Sequence, residues 1–126
     1  MLTVNYTNNF NGKLFCDVWG DVRLHDEEKF FPSNIIEVHY KNKTIGTAQV
    51  MAVRTFEFKQ IRDALAFLDC GKPSYYLASL LQKFYGPLQP QDKLDHIVLK
   101  YTNRNIELQE QMIKDWWQHK IEQSPS

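Results

Sequence analysis

The sequence predicts an α+β domain built on a small, curved mixed sheet or pseudo-barrel, with flanking helices and a C-terminal helix. Three patterns indicate this fold class. Apolar and polar residues alternate from Ile35 to Phe58 on both sides of a short polar turn, as in a hairpin with one buried face. Between Lys59 and Tyr85 the apolar spacing changes to three and four residues, which is typical of amphipathic helices. A further helical pattern covers Ile106 to Ile121.

The predicted hairpin is the centre of the sheet. Ile36, Val38 and Tyr40 fall on one face of its first strand, and the polar residues 41–43 form its turn. The return strand starts at Thr44 and is too long and too rich in small residues to stay flat. Gly46 marks a predicted bulge or bend within it. A long, bent strand of this kind suits a strongly curved sheet or a small barrel.

The remaining predicted elements lie on both sides of the hairpin, within a single domain that spans residues 1–126. In chain order they are a short strand at Met1 to Val4, two short strands about a turn at Gly20-Asp21 within Lys13 to Leu24, a helix at Lys59 to Asp69, a helix at Ser74 to Tyr85, and a strand at His96 to Thr102. Ser74 is the predicted N-cap of the second helix, because its hydroxyl can accept a backbone N–H. Gly86 and Pro87 stop that helix.

The composition restricts the classes of function. Fifteen basic and fifteen acidic residues cancel, so no global charge marks a nucleic-acid or membrane partner, and any such partner requires a local patch. Cys16 and Cys70 are far apart and lack the spacing of a metal site, which favours two reduced thiols over a disulfide framework. The sequence indicates no metal or cofactor. It contains no apolar run of membrane length and no signal peptide, and we expect a cytoplasmic protein without a membrane partner.

A lysine close to two carboxylates is the best candidate for acid–base chemistry. Lys13, Asp17 and Asp21 lie within nine residues of one another. In a cleft, the pKa of such a lysine can be tuned by its neighbours, so that Lys13 and Asp17 would form a catalytic pair. The alternative interpretation is an exposed loop of mixed charge.

A second candidate site is a basic patch on the hairpin and the first helix, interleaved with tyrosines. Basic residues that contact phosphates and aromatic rings that stack on bases are the features of a site for single-stranded RNA or a nucleotide. The alternative is ordinary surface charge. The predicted patch consists of Lys41, Lys43, Arg54, Lys59, Arg62, Tyr40 and Tyr76.

The C-terminal helical segment offers a candidate protein interface. Its apolar residues cover more than half of the helix circumference, which is wider than one contact with a sheet requires. Trp116 and Trp117 are adjacent and therefore point to different faces. We expect one of them to pack on the sheet and the other to meet a partner, as in a homodimer formed through residues 106–121.

Three segments together resemble the PUA-like superfamily and, within it, the ASCH-type domains. They are the strand TIGTAQV from Thr44 to Val50, the helix pair from Phe58 to Tyr85, and the loop and strand from Asp92 to Leu99. The order of elements is similar over residues 13–102. The resemblance implies a pseudo-barrel with helices at its rim, a cleft between the two, and a role in binding RNA or a nucleotide-type ligand, or in modifying RNA or a modified nucleoside.

Some ASCH-type proteins are amidohydrolases of a modified nucleoside or nucleases, and the amidohydrolases share a G-x-K-T-x-T-x-R stretch. The nearest stretch here runs from Gly12 to Val18, GKLFCDV, and only Lys13 matches a functional residue of that pattern. Three functions therefore remain open: an RNA- or nucleotide-binding module, an ASCH-like enzyme that uses Lys13, and a protein-interaction module that self-associates through its last helix.

Overall fold

The computed structural model describes residues 2–7, 9–63, 65–66 and 71–123, and it has the predicted α+β architecture. Five strands form one curled, mixed sheet, a half-barrel, in the order β1-β3-β4-β5-β2. The elements are β1 (Thr3–Tyr6), a 3₁₀ helix (Phe10–Phe15), β2 (Val18–Leu24), β3 (Ile35–Tyr40), β4 (Lys43–Glu57), a 3₁₀ helix (Phe58–Gln60), α1 (Ser74–Tyr85), β5 (Lys93–Arg104) and α2 (Ile106–Gln123).

The predicted hairpin is confirmed as the middle of the sheet. Strands β3 and β4 pair in antiparallel register from Ile35–Gln49 to Tyr40–Lys43. The turn consists of two residues, Lys41 and Asn42, and both have positive φ angles. A two-residue turn of this kind has a twist that matches the twist of the flanking strands. Ile36 and Val38 are fully buried, as the alternation predicts.

Strand β4 curls because extra residues interrupt its pairing on both sides. Ile45 is the extra residue opposite β3, since Val38 pairs with Gly46 and His39 with Thr44. Met51 is the extra residue opposite β5, since Val50 pairs with Leu99 and Ala52 with Val98. Bulges bend a strand and increase its twist, so the sheet rolls up.

The curled sheet has a core on each face. The larger core fills the inside of the half-barrel and includes the fully buried residues Ile36, Ile97 and Leu99, and Met112 of α2 closes it. The smaller core joins the outer face of the sheet to α1 through Leu77, Leu81, Val22, Leu94 and Ala66. Strands β1 and β2 are the two edges of the sheet, and the curl brings these edges towards each other.

Two predictions about local structure are wrong, and a third falls partly on residues that the structure does not describe. Residues 13–24 do not form two short strands: Lys13 lies in a 3₁₀ helix, and β2 continues through Gly20-Asp21 without a turn. The N-cap of α1 is Pro73, not Ser74, whose backbone N–H donates to the Asp63 side chain at 2.8 Å. Of the predicted helix at Lys59 to Asp69, the first two residues are in a 3₁₀ helix and residues 63, 65 and 66 are helical; residues 64 and 67–69 lie outside the described residues.

The predicted bend at Gly46 is confirmed and generates a stability prediction. A Cβ at this position would lie 2.2 Å from the Asn103 carbonyl oxygen, because β5 crosses the bulge there. We expect Gly46→Ala to lower the free energy of unfolding by about 3 kcal/mol, since backbone must move to relieve the overlap. Gln49→Ala, on the same strand, adds no atom and should change it by less than about 1 kcal/mol. Urea unfolding monitored by tryptophan fluorescence compares the two, and equal stabilities would contradict the close approach.

Candidate functional site

A cleft of about 200 Å³ opens where the two edges of the sheet meet α1. The end of β1 forms one side of the cleft, β2 forms the other, and α1 covers them with an apolar face. Lys13 lines the cleft from the 3₁₀ helix that follows β1. The lining residues are Asn5, Tyr6, Thr7, Lys13, Asp21, Val22, Arg23, Leu77, Leu80, Leu81, Phe84 and Tyr85.

Asp21 is the centre of the polar half of the cleft. Asp21 is only 4% exposed, yet three side chains donate hydrogen bonds to its carboxylate. The Tyr6 hydroxyl donates to Oδ2 at 2.7 Å, and Arg23 Nε donates to the same oxygen at 2.6 Å. Lys13 Nζ lies 3.3 Å from Oδ1. A buried carboxylate with this many donors is compensated as an anion, so it remains ionised.

Arg23 joins the two edge strands. Its Nη2 donates to the Asn5 carbonyl oxygen at 2.9 Å, while its Nε is held by Asp21 on its own strand. The guanidinium carbon also lies 4.5 Å from the centre of the Tyr6 ring, which adds a cation–π contact. Trp19 Nε1 donates to the Tyr6 hydroxyl at 2.9 Å. Side chains, rather than backbone ladders, thus connect β1 to β2.

The local backbone places Lys13 at the cleft. Gly12 has a φ of +66°, a left-handed conformation that glycine adopts without strain, and Lys13 follows it within the 3₁₀ helix. The Asn9 side chain accepts the Leu14 N–H at 2.8 Å and so fixes this turn. Lys13 is 8% exposed, and its Nζ lies 5.8 Å from the centre of the Tyr6 ring.

The protonation states of the cluster follow from burial and charge. Burial acts to raise the pKa of Asp21, but the charges of Arg23 and Lys13 and the hydrogen bonds from Arg23 and Tyr6 outweigh burial and hold that pKa well below its usual range. Burial, followed by the negative charge of Asp21, raises the pKa of Tyr6 well above its ordinary value. At neutral pH the cluster therefore contains two cations, one anion and a neutral phenol.

The other half of the cleft is apolar and aromatic. Leu77 and Leu81 of α1 are buried against β2, whereas Phe84 and Tyr85, at the end of the same helix, are 52% and 37% exposed. Gly86 ends the helix immediately after them, with a φ of +81°. Ring surfaces that face a cleft and remain partly exposed are available to a ligand.

His96 lies behind the charged cluster and was not among the predicted site residues. It pairs with Val22 on β2 and with Arg54 on β4 in the sheet register. Burial lowers its pKa, the negative charge of Asp21 opposes burial with a smaller effect, and the positive charges of Lys13 and Arg54 lower the pKa further, so the imidazole is neutral at pH 7. Its Nε2 would lie only 3.0 Å from a Cβ on Gly20, and the glycine therefore leaves room for the ring.

The structure separates the two residues of the predicted catalytic pair. Lys13 lies in the cleft, but the Asp17 side chain is 85% exposed and pairs with Arg104, and Asp17 is not among the residues that line the cleft. Asp21, the third acidic candidate, is the carboxylate that contacts Lys13. Alternation along β2 could have revealed this arrangement, because Trp19, Asp21 and Arg23 share one face of a single continuous strand.

The predicted basic patch is spread along β4. Lys41 and Lys43 are exposed at the hairpin end of this strand, whereas Lys59 follows its other end. At about 3.3 Å per residue, up to ~36 Å of strand separates Lys43 from Arg54. The tyrosines also lie apart: Tyr40 packs on the larger core and contacts Lys41, and Tyr76 lies on α1 beside Lys72. None of the seven predicted patch residues, Arg62 included, lines the cleft.

The two tryptophans of α2 contact each other edge to face, at 5.4 Å between ring centres, and differ in exposure. Trp116 makes an edge-to-face contact with Phe15 at 5.9 Å between ring centres. Trp117 is 57% exposed, on a helix that also exposes Ile106 and Ile113. The side chains beyond residue 118 of the predicted interface lie outside the described residues.

In the part of the chain that the structure describes, no helix is long and apolar enough to span a membrane.

A second polar cluster fixes the loop between β2 and β3. Asp95 is 1% exposed and accepts from the Thr55 hydroxyl at 2.7 Å and the Asp26 N–H at 3.1 Å. It also lies 2.8 Å from Nδ1 of His25, whose pKa is raised by this hydrogen bond. The described residues include no group of three or more His, Cys, Asp or Glu side chains that could hold a metal ion. Through its contacts with His25 and the Asp26 N–H, Asp95 anchors the loop that follows β2.

The Asp21 cluster generates a prediction about pH and stability. The lowered pKa means that Asp21 stabilises the fold at pH values above its ordinary pKa near 3.9, and that this stabilisation is lost as the pH falls through the lower, folded-state pKa. We expect Asp21→Asn to cost about 3–5 kcal/mol at pH 7, because it leaves two buried cations without their anion. It should also flatten the decline in stability below pH 4.

The matched control is Asp17→Asn, which removes an exposed carboxylate from a surface ion pair. It should change the free energy of unfolding by less than about 1 kcal/mol. Urea unfolding at pH 7, 4 and 3 gives the comparison for both variants. An Asp21→Asn protein as stable as the Asp17→Asn protein at pH 7 would show that the cluster does not hold the two sheet edges together.

Comparisons of the chain with protein-family models, with curated proteins and with solved structures found no match. The similarity of the sequence to PUA-like and ASCH-type domains therefore stays a prediction. In the cleft, the buried charges of Lys13, Asp21 and Arg23 lie beside an aromatic wall, the partly exposed rings of Phe84 and Tyr85.

Proposed function

We propose that the protein binds a nucleotide-type ligand in this cleft, either as a free nucleotide or as one unit of an RNA chain. The observation that carries the proposal is the pairing of two kinds of surface. Lys13 and Arg23 supply positive charge on the polar side of the cleft, and Phe84 and Tyr85 supply aromatic surface on the other side. A nucleotide has a matching division into an anionic phosphate and a flat base.

The charge balance of the lining favours an anion. Lys13 and Arg23 are both held by Asp21, so the three charged side chains that line the cleft sum to one positive charge. Arg23 is well suited to phosphate, because a guanidinium presents several donors in a fixed plane. Contact with Asp21 and Asn5 holds this plane in place before a ligand arrives, which reduces the entropy lost on binding.

The aromatic wall favours a base over an aliphatic group. Stacking of a base on an aromatic side chain contributes about 1–3 kcal/mol and tolerates different bases. Phe84 is the more exposed of the two rings and lies at the end of α1, where the helix stops. A cleft of about 200 Å³ is smaller than most ligand pockets, which suits one nucleotide unit rather than several.

A second candidate function is hydrolysis of a modified nucleoside. Lys13 favours it, because a lysine held 3.3 Å from a buried carboxylate in a cleft can stabilise negative charge that develops on a reacting group. Asp21 already accepts three donors, so in this reaction it would position Lys13 rather than touch the substrate. Chromatography of modified nucleosides after incubation with the protein tests for turnover, and loss of product formation in Lys13→Gln would support this role.

Binding of a fluorescent single-stranded RNA and of AMP, measured by anisotropy and calorimetry, tests the main proposal. We expect Phe84→Ala to weaken binding about tenfold, because it removes one stacking surface. The matched control is Tyr75→Ala, which removes an aromatic ring that is 73% exposed on the same helix but does not line the cleft. Its affinity should equal that of the unchanged protein.

A charge-changing pair identifies the binding surface. Lys13→Gln should weaken binding at least about tenfold and reduce its salt dependence, whereas Lys41→Gln, on the hairpin, should have little effect. If Lys41→Gln weakens binding and Lys13→Gln does not, the ligand binds the predicted hairpin patch and the cleft proposal is wrong. Absence of binding to both RNA and AMP at low salt would also overturn the proposal.

A further inference from the structure

We infer that the cleft selects a ligand group with one negative charge, and hence a phosphodiester-linked nucleotide within a chain over a free nucleoside monophosphate. This inference rests on the proposed function and specifies its ligand class. It follows from the fixed charges of the lining, from the three protein donors that Asp21 already accepts, and from the small volume of the cleft. Each of these properties belongs to the protein before any ligand binds.

The charge of the lining is set by three side chains that hold one another in place. Asp21 accepts hydrogen bonds from Tyr6, Arg23 and Lys13. These contacts hold its negative charge in place when a ligand approaches. The two cations exceed this anion by one charge. Among the described lining residues, no other side chain carries a formal charge at neutral pH.

The surroundings leave this excess of one unchanged at pH 7. Tyr6 is a neutral phenol and His96, which interacts with Asp21 and Lys13, is a neutral imidazole. Tyr85 interacts with Arg23, and Lys29 of the β2–β3 loop interacts with Arg23 and, with the opposite sign, with Asp26. Arg54 lies on the far side of His96, across the sheet from β2.

An excess of one positive charge matches one negative charge and leaves a second without compensation. A terminal phosphate carries about −1.5 to −2 charges at pH 7, because its second pKa is near 6, whereas a phosphodiester carries one. Lys13 and Asp21 are more than nine-tenths buried, so solvent and salt screen the mismatch poorly. A carboxylate shares the single charge, and the experiment separates it from a phosphodiester.

The experiment compares AMP with the methyl ester of its phosphate, which has the same base and sugar but a single charge. Calorimetry at pH 7.5 should show the methyl ester binding about tenfold more tightly. At pH 6.0, where AMP is half monoanionic, the ratio of the two affinities should fall to about two. Titration of protein groups such as His96 changes both affinities alike, because both ligands bind the same protein. It therefore cancels in the ratio.

Asp21→Asn provides the test by mutation. It raises the excess to two positive charges, and the preference should then disappear or reverse in favour of AMP at pH 7.5. If this variant does not fold, the pH dependence of the ratio in the unchanged protein decides the matter. AMP binding as tightly as its methyl ester at pH 7.5, or a ratio that does not change between pH 7.5 and 6.0, overturns the inference.

The outcomes separate this inference from the proposed function. If both nucleotides bind but in the opposite order, the cleft is a nucleotide site and only the charge selection is wrong. If neither nucleotide binds, while benzoate binds to the unchanged protein and not to the Lys13→Gln variant, the cleft binds a carboxylate. Both the proposed function and the phosphodiester class are then overturned.

Discussion

The contact between Asp21 and its three donors is the interaction on which this structure depends. A sheet that curls without closing has two edges, and here the edges are β1 and β2. A complete barrel would join them with backbone hydrogen bonds. In this protein Tyr6 and Arg23 join them through the carboxylate of Asp21, and Arg23 also binds the backbone of β1. The same side chains therefore set the width of the half-barrel and form the floor of the cleft.

A buried ionic cluster is not the most stabilising way to close a sheet. In other proteins, replacement of such a cluster by apolar side chains of similar volume is often neutral or stabilising, because desolvation of the charges offsets their attraction. Apolar residues at the positions of Lys13, Asp21 and Arg23 could fill the gap between the edges. They could not supply charge next to the aromatic end of α1. The arrangement therefore agrees better with a binding role than with stability alone.

Periodic segments of the chain could be predicted well, and segments whose geometry depends on distant contacts could not. The β3–β4 hairpin, α1, β5 and α2 follow from local alternation, helical spacing and the Gly86-Pro87 stop. The prediction of a turn between Lys13 and Leu24 is wrong, although Gly20-Asp21 is a common turn pair. Here Gly20 instead makes room for His96 in a neighbouring strand. The bulges at Ile45 and Met51 depend on how β4 pairs with β3 and with β5. That pairing register cannot be read from the residues of β4 alone.

The candidate site was predictable in part. Proximity in sequence suggested Lys13, Asp17 and Asp21 together, and the fold keeps Lys13 with Asp21 but sends Asp17 to the surface. Tyr6 and the aromatic end of α1 enter the cleft only through tertiary structure, from positions up to 64 residues from Asp21. Charge counting along the chain favours β4 and its ends, because basic residues are frequent there, whereas the burial of Lys13 beside Asp21 follows only from tertiary contacts.

The order of the strands has a consequence for the synthesis of the protein. Strand β2 pairs with β5, and the paired residues are 70 to 82 positions apart, from Leu24–Leu94 to Val18–Lys100. Contacts between such distant residues form slowly, because a long loop must close before they contribute. A ribosome delivers β2 long before β5, so the nascent chain carries Asp21 and Arg23 without a strand to support them. The cleft can form only after residue 100 has left the ribosome, because β2 lines the cleft and pairs with β5 as far as Lys100.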